Sequence, residues 1–220
     1  SMTKRAAEQG SELVRRLLAF ARRQKLEPQP VGLLSLQQAV SDLLSHTLGG
    51  LVTIEWDIED GVWDAYADRA QLELALVNLI INARDAMAGG GTIRIEARNR
   101  TIAGGDVPGA SAGDYVRLAV IDTGSGISPG DIEKVTEPFF TTKAVGKGSG
   151  LGLSMVYGFA KQSNGAFTIS SELGRGTTAE LWLPRAPDIE KPRRKPAAER
   201  SKKRALRKLN VLLVDDHAEV

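Results

Sequence analysis

Two asparagines four residues apart, Asn78 and Asn82 in NLIINARDAM (78–87), stand among Leu74, Val77, Leu79, Ile81 and Met87. Amides in such apolar company are costly to bury without partners. On a helix the i, i+4 spacing places both on one face, and Asp85 follows one turn beyond Asn82. An amide oxygen is a hard ligand suited to Mg²⁺ and to the phosphate it carries. A pair of buried, structurally hydrogen-bonded asparagines is the plainer alternative. Further on, DTGSGI (122–127) puts Asp122 at the end of a strand pattern, with Gly124, Gly126 and Ile127 directly after it; alone, that is a tight turn. EPFF (137–140) is followed by Thr141, Thr142 and Lys143. GKGSGLGLS (146–154) then spaces Gly146, Gly148, Gly150 and Gly152 with Lys147, Ser149 and Leu151. Glycines of this kind allow the backbone angles that turn successive N–H groups inward, and a following helix N-terminus adds positive potential, which is phosphate-binding chemistry. It is not a Walker loop, because no GK[ST] follows at the required spacing.

Any one block is a weak signal, but four in this order resemble the N, G1, F and G2 boxes of a sensor histidine kinase's ATP-binding domain, across residues 35–185. The resemblance implies a Bergerat-type, two-layer α/β sandwich, shared with gyrase, heat-shock chaperones and MutL-type mismatch-repair proteins. It also implies ATP and Mg²⁺ as cofactors. Under it Asn82 is the Mg²⁺ ligand and Asn78 a second polar position facing the triphosphate. Asp122 accepts from the adenine amine, and Gly124 and Gly126 let the backbone approach the purine. Thr177, after Gly176, matches a position that assists adenine recognition; an ordinary strand threonine is the alternative. Asp85, Ile127, Lys143, Lys147, Gly148, Ser149, Gly150, Leu151 and Gly152 complete the implied nucleotide contacts. Arg84 is left between phosphate and solvent, and Phe139 and Phe140 pack a mobile lid onto the core or a helical bundle. Hydrolytic members of that superfamily carry a Glu where this chain has Asn78, and that Glu serves as general base. An Asn takes no proton at neutral pH, so the residue argues for phosphoryl transfer over hydrolysis.

Elements must position these groups. Helical periodicity is expected over 35–48, 68–88 and 151–163, and strands over 51–58, 91–100, 114–123, 165–172 and 177–184. Helices on one face of a mixed, mainly antiparallel sheet follow from that order. Residues 4–26 carry Leu13, Leu17 and Phe20 on one stripe with arginines opposite, ended by Pro28 and Pro30. One such helix needs a partner to bury its stripe. Residues 1–30 resemble the second helix of a dimerisation and phosphotransfer bundle, whose first helix, bearing the phosphoacceptor histidine, is expected ahead of it. The ATP-binding domain is then 31–186.

Residues 187–208 read as a basic linker. Ten of the 29 Lys and Arg lie in 191–208, and only four of the 27 acids lie beyond residue 190. The body is therefore slightly acidic, and no specific nucleic-acid site is expected; the run itself gives only weak, salt-sensitive binding. NVLLVDDHAEV, within 209–220, resembles the first strand of a response-regulator receiver domain, as in a hybrid kinase. His46 and His217 both lack a phosphoacceptor's sequence context. Zero cysteines exclude disulfides and thiolate metal sites and suit a cytoplasmic location. No apolar run reaches the roughly 18 residues of a membrane span. The N-terminus lacks a signal peptide's apolar segment, and Ser1 ahead of Met2 resembles a tag-cleavage scar. The expected partners are ATP or ADP, a second copy through the bundle, and a receiver domain.

Overall fold

The computed structural model describes residues 26–44, 50–143 and 148–187. The expected helix over 4–26 as far as residue 25, His46, Lys147, the basic linker from 188 on and the receiver-like strand lie outside the described residues, as does the second compact unit, 188–220.

Among the described residues ten elements run in order: β1 (Gln29–Val31), α1 (Leu33–Leu44), β2 (Val52–Ile58), β3 (Ala65–Ala67), α2 (Arg69–Ala86), β4 (Gly91–Ile102), β5 (Gly113–Asp122), α3 (Gly152–Gln162), β6 (Ala166–Glu172) and β7 (Gly176–Pro184). The main sheet has the order β2-β4-β5-β7-β6. β2 and β4 are parallel, which requires a crossover between them, and α2 lies in that crossover. The other neighbouring pairs are antiparallel.

Alternation divides the sheet's faces. Ile93, Ile95, Val116, Leu118, Val120, Leu181 and Leu183 point into one core with the helices. α2 meets them through Leu72, Ala75, Leu76, Leu79, Ile80 and Ala83, spaced as one helical stripe. Full burial of each Leu or Ile contributes about 1.5–3 kcal/mol. On the opposite face Arg117 pairs with Glu96 at 3.2 Å and with Glu180 on the neighbouring strand. Helices on one face and charge on the other is the sandwich expected.

Two three-residue strands escaped the sequence reading. β1 pairs antiparallel with β3, matching Gln29 with Ala67 and Pro30 with Tyr66. Gln29 and Pro30, assigned above to the preceding segment, are thereby drawn into this domain. Asp68 closes the junction. Its Oδ1 accepts from Gln71 N–H at 3.1 Å to cap α2, while Oδ2 accepts from Glu27 N–H at 3.0 Å. The first described helix begins at Leu33, two residues before the expected 35, and is described to Leu44; it opens with the Leu36 N–H to Gly32 C=O bond of 3.1 Å.

Candidate functional site

The site forms where the second half of α2, the end of β5 and the N-terminus of α3 meet. They enclose a cavity of about 510 Å³. Asn78, Asn82 and Asp85 line it from α2. The N-terminus of α3 abuts the pair: a side chain at Gly152 would lie 3.6 Å from both Asn78 Oδ1 and Asn82 Nδ2. A larger residue there would crowd both amides. The positive end of α3 thus faces the same space as the two asparagines.

Asp122 ends β5 and is 7% exposed. Its Oδ1 accepts from Gly124 N–H at 2.8 Å and from Thr177 N–H at 3.3 Å. Both hydrogen bonds fall on that oxygen, and among the described residues Oδ2 has no protein partner. Burial raises the carboxyl above its ordinary range, against the lowering effect of the two backbone donors. Such a group favours a ligand that brings an N–H donor.

The loop after Asp122 is fastened on both sides. Ser125 N–H reaches Ala86 C=O at the end of α2, 3.0 Å, and Gly174 N–H reaches Ser125 C=O, 2.8 Å. Gly126, at φ 68°, presses so close that a Cβ would fall on the Glu172 carbonyl. Its glycine is demanded by this protein-to-protein approach, a nearer reason than access for a purine.

Lys143 reaches into the site. Its ammonium donates to Asp85 Oδ2 at 2.7 Å and to Asn82 Oδ1 at 3.2 Å. Arg84, left open above, donates to Asp85 Oδ1 through Nη2 at 2.6 Å and Nε at 3.0 Å. Burial works to raise the Asp85 carboxyl, but the hydrogen bonds from Lys143 and then Arg84 outweigh it and hold it below the usual range. Among the described residues no group of three or more His, Cys, Asp or Glu is placed to hold a metal ion. The Asn82 oxygen already receives a cation, the ammonium, so its lone pairs are aimed where positive charge sits. This donor set fits Mg²⁺, which draws most of its ligands from water and phosphate.

The segment beyond is pinned at its ends. Phe139 N–H donates to Gly150 C=O at 2.9 Å, with both residues at positive φ, 69° and 66°. A Cβ on Gly150 would strike the Phe139 backbone. The Phe139 ring stays 60% exposed, whereas Phe140 lines the cavity.

Of the expected contacts, Gly126, Ile127, Lys143, Gly148, Ser149, Gly150, Gly152 and Thr177 join Asn78, Asn82, Asp85 and Asp122 around the cavity. Two do not. Gly124 lies behind the wall, where its N–H holds Asp122, and Leu151 is 0% exposed, packed inward at the start of α3. Ser125, Ser128, Asp131 and Val135, not among the expected contacts, also line the cavity. The S-P-G-D spacing was a usable signal: Ser128 Oγ donates to Asp131 Oδ2 at 2.8 Å.

Residues 67–187 match the family of histidine kinase-, DNA gyrase B- and HSP90-like ATPases. The chain belongs to this ATPase family. It is 42% identical over 230 residues to the sensor kinase CckA of Brucella abortus, covering 99% of this chain and 24% of that protein. To the sensor histidine kinase ZraS of Escherichia coli K12 it is 30% identical over 179 residues, 81% of this chain and 36% of the relative. The chain thus spans between a quarter and just over a third of the length of these curated relatives. Among solved structures, full-length ShkA in complex with AMPPNP superposes with a TM-score of 0.66 at 28% identity, covering 84% of this chain and 38% of that one. The catalytic domain of histidine kinase ThkA gives 0.59 at 25% identity, with 73% and 97% covered. The described domain is therefore a histidine kinase-type member of the ATPase family. No helix among the described residues is long and apolar enough to cross a membrane.

Proposed function

We propose that this chain is the ATP-binding catalytic domain of a two-component sensor histidine kinase. It delivers the γ-phosphoryl of Mg-ATP to a histidine on a separate helix, for relay to a response-regulator aspartate. Asp122 carries the reading: a buried carboxylate on the cavity wall with one oxygen left for a base amine. The two asparagines at the N-terminus of α3 supply the opposite, phosphate-facing end.

Phosphoryl transfer asks a protein mainly for positioning and charge neutralisation. Asp122 fixes the base. The N-terminus of α3 and the backbone around Gly148 and Gly150 face the phosphates, and Lys143 adds positive charge beside them. Asn82, with Asp85 nearby, would hold Mg²⁺, which when bound neutralises phosphate oxygens. Asn78 orients without abstracting a proton, so water is left unactivated and the phosphoryl group is kept for another acceptor. The likeness to the sensor kinase CckA runs along 99% of the chain, and we read the residues ahead of β1 as a bundle helix and 209–220 as the start of a receiver domain. We assign the domain to the cytoplasm, working in a homodimer joined through the bundle.

The test is radiolabelled ATP with the chain alone, then with a polypeptide bearing a sensor kinase's histidine helix. Acid-labile label on the supplied helix is expected. Label on the chain alone that survives His46→Ala and His217→Ala would mean the acceptor is elsewhere in it. Nucleotide binding with label on neither would favour a catalytically silent switch.

A further inference from the structure

Ser171 on β6 stands opposite Thr177 on β7, and its hydroxyl has three neighbours. Ile127 N–H donates to it at 2.8 Å, Gly176 C=O lies at 2.8 Å, and Thr177 Oγ1 lies at 2.9 Å. A serine hydroxyl has one proton and two acceptor lone pairs. The Gly176 carbonyl only accepts, so it takes that proton. The Ile127 N–H only donates, so it occupies one lone pair. One lone pair remains, and Thr177 must therefore be the donor in the third contact. The single proton of the Thr177 hydroxyl is spent on Ser171, which is not among the cavity-lining residues; Thr177 is, so lone pairs are what its hydroxyl has left to offer a ligand there.

Asp122 pairs in register with Thr177 and shows the cavity the same polarity through Oδ2. We propose that Ser171 is a positioning residue for base specificity. By fixing Thr177 as an acceptor, it makes the recess at Asp122 demand a hydrogen-bond donor at purine position 6 and reject a 6-oxo purine. This rests on the adenine-at-Asp122 reading given above. Adenine brings two N–H bonds at that position, whereas hypoxanthine brings a carbonyl that would face a lone pair. A site built to hydrogen-bond one group discriminates strongly against an analogue that leaves its polar atoms unpaired.

Calorimetric titration with ADP and with inosine diphosphate, which lacks the amine, tests the proposal without turnover. The wild type should favour ADP by about tenfold or more. Ser171→Ala frees the Thr177 proton to meet a carbonyl, so the preference should shrink by about tenfold. Ser171→Thr, which keeps a hydroxyl, should restore it. Thr177→Val removes the lone pairs outright and should also narrow the ratio, giving a second route if Ser171→Ala folds poorly. An ADP-selective wild type whose ratio is unchanged in both Ser171→Ala and Thr177→Val would overturn the proposal, because uniform weakening marks a purely structural serine. A wild type that binds both diphosphates equally would instead overturn the placement of adenine at Asp122.

Discussion

Lys143 and Asp85, 58 residues apart in sequence, form an ion pair of 2.7 Å that ties the segment after Phe140 to the last turn of α2. The sign of its pH dependence follows from the lowered Asp85 pKa. A carboxyl held below its unfolded value contributes stability above that value, near pH 4. The contribution is lost as pH falls through the folded value. Asp85→Asn should therefore lower stability at pH 7 by about 0.5–1 kcal/mol, a partly exposed pair being worth little more. In urea unfolding, the gap from wild type should narrow steadily as pH falls below about 4; a gap that does not narrow in acid would contradict this account.

Asn82→Ala should remove the Mg²⁺ dependence of nucleotide affinity and leave the fold intact. Alanine is the better helix former at that position, so the melting temperature should not drop. Calorimetry with and without Mg²⁺ reads the first effect. Equal ATP affinity in both conditions for the wild type would remove the metal role from Asn82.

Asp122→Asn should separate binding from stability. It keeps an acceptor for the Gly124 and Thr177 N–H groups but loses the charge, and should weaken ATP by roughly 1.5–3 kcal/mol. The raised pKa means that the ionised carboxylate is disfavoured in the fold above that pKa, a penalty that disappears below the unfolded value. The nucleotide-free variant should thus melt higher than wild type at pH 7, with the difference vanishing in acid. A variant that binds ATP like wild type would refute the assignment.

Gly126→Ala should destabilise the domain by more than about 1–2 kcal/mol, the cost of left-handed backbone for an ordinary residue, since its Cβ also meets the Glu172 carbonyl. Thermal melts of the nucleotide-free protein measure it. A loss confined to nucleotide affinity would show that the glycine serves the ligand instead.

Long periodic elements were legible in the sequence. The stripe Leu72, Leu76, Leu79 and Ala83 marks α2 to within two residues at its C-terminal end, and alternation marks β4 and β5. β1 and β3 were not, because three residues carry no periodicity and their pairing joins Gln29 to Ala67. The site's inventory was readable from glycines and amides; its internal partners were not. Lys143, expected to reach phosphate, meets Asn82 and Asp85 through packing that no local spacing encodes. Leu151 shares a glycine-rich block with cavity residues yet faces the core, because a helix's first turn points its side chains around the axis whatever the motif.

The Phe139–Gly150 bond brings together the two ends of a ten-residue stretch, 140–149, which Lys143 also ties to α2. Once the ends are held, each doubling of such a loop costs only about 0.6 kcal/mol of closure entropy. Insertions placed after Lys143 and before Gly148 would leave β5, α2 and α3 where they stand. The stretch is thus a place where length can drift between relatives, or a reporter sequence be grafted, without retuning the base-binding wall.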